Sequence, residues 1–284
     1  MSKRPEKAAE RETGSNSMTD DKKRIVVKVG TSTLTYENGK MNLRRIEALC
    51  KVLSDLQNAG NQIVLVTSGA IGVGVGKLGL REKPKETRGK QAAAAVGQCE
   101  LMFMYDKLFG EYNHTVAQVL LTRRVVENEH SKQNVVNTID TLLEMGVIPV
   151  VNENDTVAID ELVGANYGDN DTLSAIVAAL VHADLLILLT DIDGLYDADP
   201  HKNPQAKRIS LLTAVDDDVL ALAGGAGSKR GTGGMRTKLQ AAQLTLQEHI
   251  PLVIMQGDKP ELIYSLLEGE PVGTRIDADA ERVD

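Results

Sequence analysis

The chain reads as an α/β fold built on a mainly parallel sheet with helices on both faces. Three observations predict this. Short apolar runs alternate with longer amphipathic stretches, and repeated βα alternation is the pattern of a parallel sheet wrapped by helices. The runs are continuous rather than alternating, as in strands covered on both sides. Only 3% of the residues are aromatic and none is Trp, so Val, Leu, Ile, Ala and Met must build the core. Hydrophobic residues make up 42% of the 284, enough for one large domain.

The elements follow in order. Arg24-Ile-Val-Val-Lys-Val29 predicts a strand over 24–29 that runs into Gly30. Ile46, Leu49, Cys50, Leu53 and Leu56 then form one apolar stripe at helical spacing. That predicts a helix over 42–59, with Asn42 placed to cap it and Gly60 to end it. A strand over 62–66 ends in Thr67-Ser68-Gly69-Ala70, and an Ala-rich helix covers 90–109. Next come strand 115–121, helix 134–145, strand 147–151, helix 171–182 and strand 185–189. Helices 214–223 and 235–248, strand 251–255 and helix 259–268 complete the pattern. The organisation expected is a disordered polar tail over 1–22, one domain over 23–276 and an acidic tail over 277–284, fraying from Gly273 onward.

Charge and composition exclude several classes. Asp and Glu number 40 against 32 Lys and Arg, a net charge of -8, which argues against nucleic acid or an anionic membrane as partner. No apolar stretch is long enough to span a bilayer, and the first residues lack the apolar segment of a secretory signal. Cys50 and Cys99 fall at apolar helix positions, so two buried thiols are expected and nothing demands an oxidising compartment. The five His residues lack metal-ligand spacing, so no metal site is expected from the protein's own ligands. A cytoplasmic location is expected.

Lys28 is the first chemical signal. A lysine is almost never fully buried unless paired, yet this one closes a buried strand. Ligands of open α/β sheets bind beyond the carboxyl ends of the strands, so a cation there suggests an anionic ligand. The alternative is a lysine reaching solvent from an edge strand. Four more strand or helix junctions carry polar sets, and a glycine-rich helix start adds to them. Ser68-Gly69-Ala70 is either an ordinary turn or an opening for an anion at a helix start. Asn152-Glu-Asn154-Asp155 follows a buried strand, and its amides and carboxylates suit an ammonium and a carboxylate together. Gly168-Asp169-Asn170-Asp171 precedes a helix, which Asp171 is equally fit to cap. Thr190-Asp191 closes another strand. Gly231-Thr232-Gly233-Gly234-Met235-Arg236-Thr237-Lys238 opens a helix, and glycine N–H groups with a lysine one turn in make a phosphate cradle. Gly74-Val-Gly76-Lys-Leu-Gly79 matches a dinucleotide fingerprint only as a string. It starts well past its strand and no acid lies about 20 positions on.

Taken together and in this order, these motifs, with Val27-Lys28-Val-Gly30-Thr31-Ser32 and Leu189-Thr-Asp191 before Gly194-Leu-Tyr196, resemble the amino acid kinase family in its glutamate-phosphorylating branch. The match runs from about Lys23 to Thr274. It implies a three-layer αβα sandwich in which ATP, with Mg²⁺, and L-glutamate meet above the strand ends. The resemblance makes Lys28 and Lys238 the groups that neutralise the transferring phosphoryl group, with Asp191 orienting both. It places Ser68, Asp155 and Asn170 on glutamate, with Asn154, Asp169 and Asp171 nearby. It places Lys28, Gly30, Thr31, Thr190, Asp191 and the run Thr232, Gly233, Gly234, Met235, Arg236, Thr237, Lys238 along the nucleotide. It further implies a homo-oligomer, feedback inhibition by proline, and handover of the product to glutamyl phosphate reductase. Many bacterial relatives carry a C-terminal PUA domain, and this chain is expected to lack it. The rival readings are a family member acting on carbamate, N-acetylglutamate, aspartate or UMP, and a catalytically silent nucleotide or amino-acid sensor.

Overall fold

The structure, a computed structural model, describes residues 22–36, 39–157, 170–200, 203–222 and 234–280. The expected N-terminal tail lies outside these residues apart from Lys22. The first half of the chain forms β1 (Arg24–Val29), α1 (Thr31–Leu34), α2 (Leu43–Asn58), β2 (Gln62–Val66), α3 (Ala70–Lys77), α4 (Thr87–Gly110), β3 (Val116–Leu121), α5 (Arg123–Glu127) and α6 (Glu129–Glu144). The second half forms β4 (Ile148–Glu153), α7 (Asn170–Leu180), β5 (Leu185–Thr190), β6 (Leu211–Leu212), α8 (Asp217–Leu222), α9 (Met235–Gln247), β7 (Leu252–Gln256), α10 (Leu262–Leu267) and β8 (Thr274–Ile276).

The strands form one sheet in the order β3-β4-β2-β1-β5-β7-β8-β6. From β3 to β7 every pairing is parallel; β8 runs antiparallel to β7, and β6 is parallel to β8. The pleat sends alternate residues to opposite faces. In β1, Ile25, Val27 and Val29 join the core beneath α2, α3, α4 and α10. Val26 joins the core beneath α6, α7 and α9. The sandwich expected from the resemblance is therefore observed. By the same alternation Lys28 points toward α7 and α9.

Local signals account for most boundaries. Asn42 caps α2 as expected, its Oδ1 accepting from the Arg45 N–H at 3.3 Å. Gly60 follows that helix with φ of 98°, a conformation that only glycine adopts freely. Beyond the helix start weighed at Ser68-Gly69-Ala70, the sequence does not predict the extent of the glycine-rich α3, because glycine is a poor helix former. Packing explains it. A Cβ on Gly74 would lie 1.8 Å from the Ala93 carbonyl oxygen, and one on Gly97 would lie 1.8 Å from that of Ala70. Bare glycine faces let α3 and α4 cross backbone to backbone. The crossing accounts for Gly74 without any nucleotide, and Gly76 packs instead on Gly39, whose carbonyl oxygen a Cβ would meet at 2.5 Å.

Two expectations fail. The chain after Gly273 does not fray at once: Thr274–Ile276 adds a strand, with Thr274 Oγ1 accepting from the Leu195 N–H and donating to the Ile209 carbonyl. The acidic composition of this stretch hides a short apolar anchor at Ile276, which is fully buried. Cys50 is buried as expected, but Cys99 is exposed on the outer side of α4. Its apolar character alone does not reveal which side of the long helix faces water.

Candidate active site

The carboxyl ends of β1, β2, β4 and β5 bring together most of the sequence motifs. Lys28, one residue before the end of β1, is only 6% exposed. Its Nζ meets Oδ1 of Asp171 at 2.5 Å. Asp171 lies in the first turn of α7 and is fully buried. Its other oxygen takes Nζ of Lys238, from α9, at 3.0 Å and the Thr237 hydroxyl at 3.0 Å. One carboxylate thus ties a strand and two helices together, and two ammonium groups share it. The buried set carries more positive than negative charge, which suits an anion arriving from outside.

Burial alone would raise the Asp171 carboxyl above its ordinary value. Lys28, then Lys238, more than offset this by charge and hydrogen bonding, and hold it well below the usual carboxylate range. Two residues past Lys28, a Cβ on Gly30 would stand 3.7 Å from Nζ, an ordinary contact.

The second strand end is built on hydroxyls. Ser68 donates to the Val29 carbonyl at 2.9 Å, and Thr31 Oγ1 lies 3.4 Å from Ser68 Oγ. Gly69 caps α3 with φ of 91°. Its missing side chain is needed, since a Cβ would come within 3.2 Å of Thr31. Buried beneath, Thr67 pairs with the Tyr105 hydroxyl at 2.8 Å.

At the end of β4, Asn152 is buried and accepts from Asn170 Nδ2 at 3.0 Å. Asn170 also donates to the Thr67 carbonyl at 2.6 Å. Asn154 is anchored by its N–H to the Leu121 carbonyl, and its side chain accepts from the Thr156 hydroxyl. Asp155 sits half-buried in the turn that follows. Gly234 precedes α9, while Met235 and Arg236 occupy its first turn. Asp169, Thr232 and Gly233 lie outside the described residues.

One expectation needs correction. The resemblance has Asp191 orienting both lysines. Asp191 is instead exposed beyond β5, accepts from the Thr190 hydroxyl at 3.1 Å, and makes no ion pair with either lysine among the described residues. Asp171 holds the lysines. The mistake has a physical source: a carboxylate at a helix start is also a good cap, so the sequence offers a sufficient local explanation for Asp171. Sequence reasoning also misses Gln98 and the partners of Asn152. The signal available is a glutamine on the buried side of α4 among Ala93, Ala94, Gly97 and Leu101.

Comparison with known proteins gives the chain's family and supports its fold. The model of the Amino acid kinase family matches residues 23–256. The chain is 59% identical over 255 residues to a protein of Clostridium perfringens (strain 13 / Type A) named glutamate 5-kinase, covering 89% of this chain and 95% of that one. It is 53% identical over 262 residues to the glutamate 5-kinase of Listeria monocytogenes serotype 4a (strain HCC23), covering 92% and 95%. Among solved structures, carbamate kinase from Giardia lamblia bound to AMP-PNP superimposes with a TM-score of 0.63 over 90% of this chain and 98% of that chain. At 14% identity that likeness speaks for the fold alone.

Proposed function

The chain belongs to the amino acid kinase family, and on that basis we infer that it phosphorylates the side-chain carboxylate of L-glutamate with ATP. The product is L-glutamyl 5-phosphate, in the first step of proline biosynthesis. The observation that carries the mechanism is the buried Lys28–Asp171–Lys238 bridge at the strand ends. Glutamate's side-chain carboxylate is already ionised at neutral pH, so no general base is required. The protein's task is to hold that carboxylate in line with the γ-phosphorus and to neutralise charge spreading over the phosphoryl oxygens. Two amines pinned by one carboxylate are preorganised for this, and burial strengthens their effect. Asp171 is a positioning group, since both its oxygens are taken by the lysines.

The nucleotide enters as its Mg²⁺ complex, so the ion is part of the substrate and is carried chiefly by phosphate oxygens. Glycines at the start of α9 with Thr237 and Lys238 suit the phosphates, and Thr190 with Asp191 lies on the same edge of the sheet. Ser68, Asp155 and Asn170 are the groups assigned to glutamate. An acyl phosphate hydrolyses readily, which favours direct handover to a glutamyl phosphate reductase. Proline shares glutamate's α-carboxylate and α-nitrogen but offers nothing to phosphorylate, so it acts as a competitor at the same polar cluster. The assigned location is the cytoplasm, consistent with two unpaired cysteines.

The deciding experiment is ADP release dependent on glutamate, with hydroxylamine trapping the acyl phosphate. A glutamate-dependent hydroxamate is the expected result. ADP release with carbamate, N-acetylglutamate, aspartate or UMP, and none with glutamate, would overturn the assignment.

A further inference from the structure

A run of side-chain amides leads from the strand ends to the surface of the sheet's edge. Asn170 Nδ2 donates to the Thr67 carbonyl and to Asn152 Oδ1. Asn152 Nδ2 donates to Gln98 Oε1 at 2.8 Å, and Gln98 Nε2 donates to Gln118 Oε1 at 3.1 Å. Asn152 is 1% and Gln98 7% exposed, while Gln118 stands exposed on β3.

An amide can turn end for end at little steric cost, so its direction must come from partners that have only one role. Two backbone groups supply that here. The Thr67 carbonyl can only accept, so Asn170 must present its nitrogen to it. The Glu153 N–H can only donate, and it reaches Asn152 Oδ1 at 2.9 Å, so Asn152 turns its nitrogen to Gln98. Gln98 answers with its oxygen. Every amide in the run therefore points the same way. Both hydrogens of Asn170 Nδ2 are used, and its carbonyl oxygen takes no hydrogen bond among the described residues. An acceptor held in that direction fits an ammonium group and disfavours a carboxylate.

We propose that Gln98 is a positioning residue that, through Asn152, holds the Asn170 carbonyl oxygen toward the cleft, where it selects a dicarboxylic acid carrying an α-ammonium over the same acid without one. This rests on the glutamate-kinase reading of the site. Gln98 itself touches no substrate. Removing its oxygen leaves a buried N–H of Asn152 unsatisfied, so Asn152 loses the contact that pins it from behind and no longer holds Asn170 at a fixed position, although the two backbone groups keep the amides' direction.

The test uses the full chain and compares kcat/KM for L-glutamate with that for glutarate, which lacks the amino group. In Gln98→Leu the glutamate-to-glutarate ratio is expected to fall about tenfold, the factor set by one hydrogen bond to a charged group. KM for ATP is expected to stay unchanged. Gln98→Glu keeps the accepting oxygen and should retain most of the ratio. Gln118→Leu alters only the exposed end and should lower the ratio about twofold, as expected for a more distant member of a network. A purely structural role would depress both substrates alike and leave the ratio intact. An unchanged ratio in both Leu variants overturns the proposal, and if Gln98→Leu does not fold, Gln118→Leu decides alone. If the wild type forms no acyl phosphate from glutamate, the kinase reading fails instead. Calorimetric binding of the two acids to the same variants then supplies the ratio.

Discussion

Removing a lysine and removing the carboxylate between the lysines should harm this protein in different ways. Lys28→Ala leaves Asp171 paired with Lys238, and Lys238→Ala leaves it paired with Lys28. Each variant is expected to fold and to lose kcat by about 10²-fold or more, the scale of deleting one preorganised charge-stabilising group. KM for glutamate should move far less, because the charge matters most as the phosphoryl group transfers. Steady-state kinetics would check this, and a near-normal kcat in either variant would remove that lysine from the mechanism. Asp171→Asn instead leaves two buried amines without their counter-ion. A stability loss of about 3–5 kcal/mol is expected, readable as a lower urea midpoint. Lys28 is legible in the sequence because a cation interrupts an apolar run. Its partner is not, because Asp171 and Asp191 look alike until α7 is laid on the sheet.

The crossing of α3 and α4 makes an opposite-sign pair of predictions within one helix. Gly97 meets the Ala70 carbonyl oxygen, and Ala70 directly follows the Ser68–Gly69 turn. Gly97→Val must push the two helices apart, at a cost of about 1–3 kcal/mol or more. The same shift should displace Ser68 and raise KM for glutamate. Gly110 closes α4, and a Cβ added there would meet nothing within 4 Å, so Gly110→Ala should stabilise by about 0.5–1 kcal/mol. Denaturant midpoints for the two variants moving in the same direction would contradict the packing account. The long amphipathic helices and buried strands are readable from their periods. Neither α3 nor β8 is, since a glycine-rich helix and a three-residue strand exist only through what they pack against.

Acid should weaken the whole molecule through the same carboxylate. An unfolded Asp titrates near ~3.9. In the folded protein, despite burial, Lys28 and Lys238 hold Asp171 well below its ordinary range. As pH falls below the unfolded value, the unfolded chain binds a proton that the native one refuses, so stability drops. Above it, the stabilisation is fully present. Urea midpoints from neutral pH down to about pH 3 should therefore fall more steeply for the wild type than for Asp171→Asn, which has nothing to titrate there. Parallel curves would show that Asp171 does not link acid to unfolding.

Local pattern was enough for the order of the longer strands and helices, for the two covered faces of the sheet and for the gathering of polar motifs at strand ends. Those features depend on side-chain period, turn residues and the burial of apolar runs, which act over a few residues at a time. The tertiary structure decided which aspartate sits between the lysines, which face of α4 meets water, how β8 joins β6 to β7 and which way the Asn152 and Asn170 amides point. Each of these depends on contacts between residues far apart in the chain. The partner of a buried charge or amide is whatever group the packing brings within about 3 Å, and spacing along the chain does not encode that.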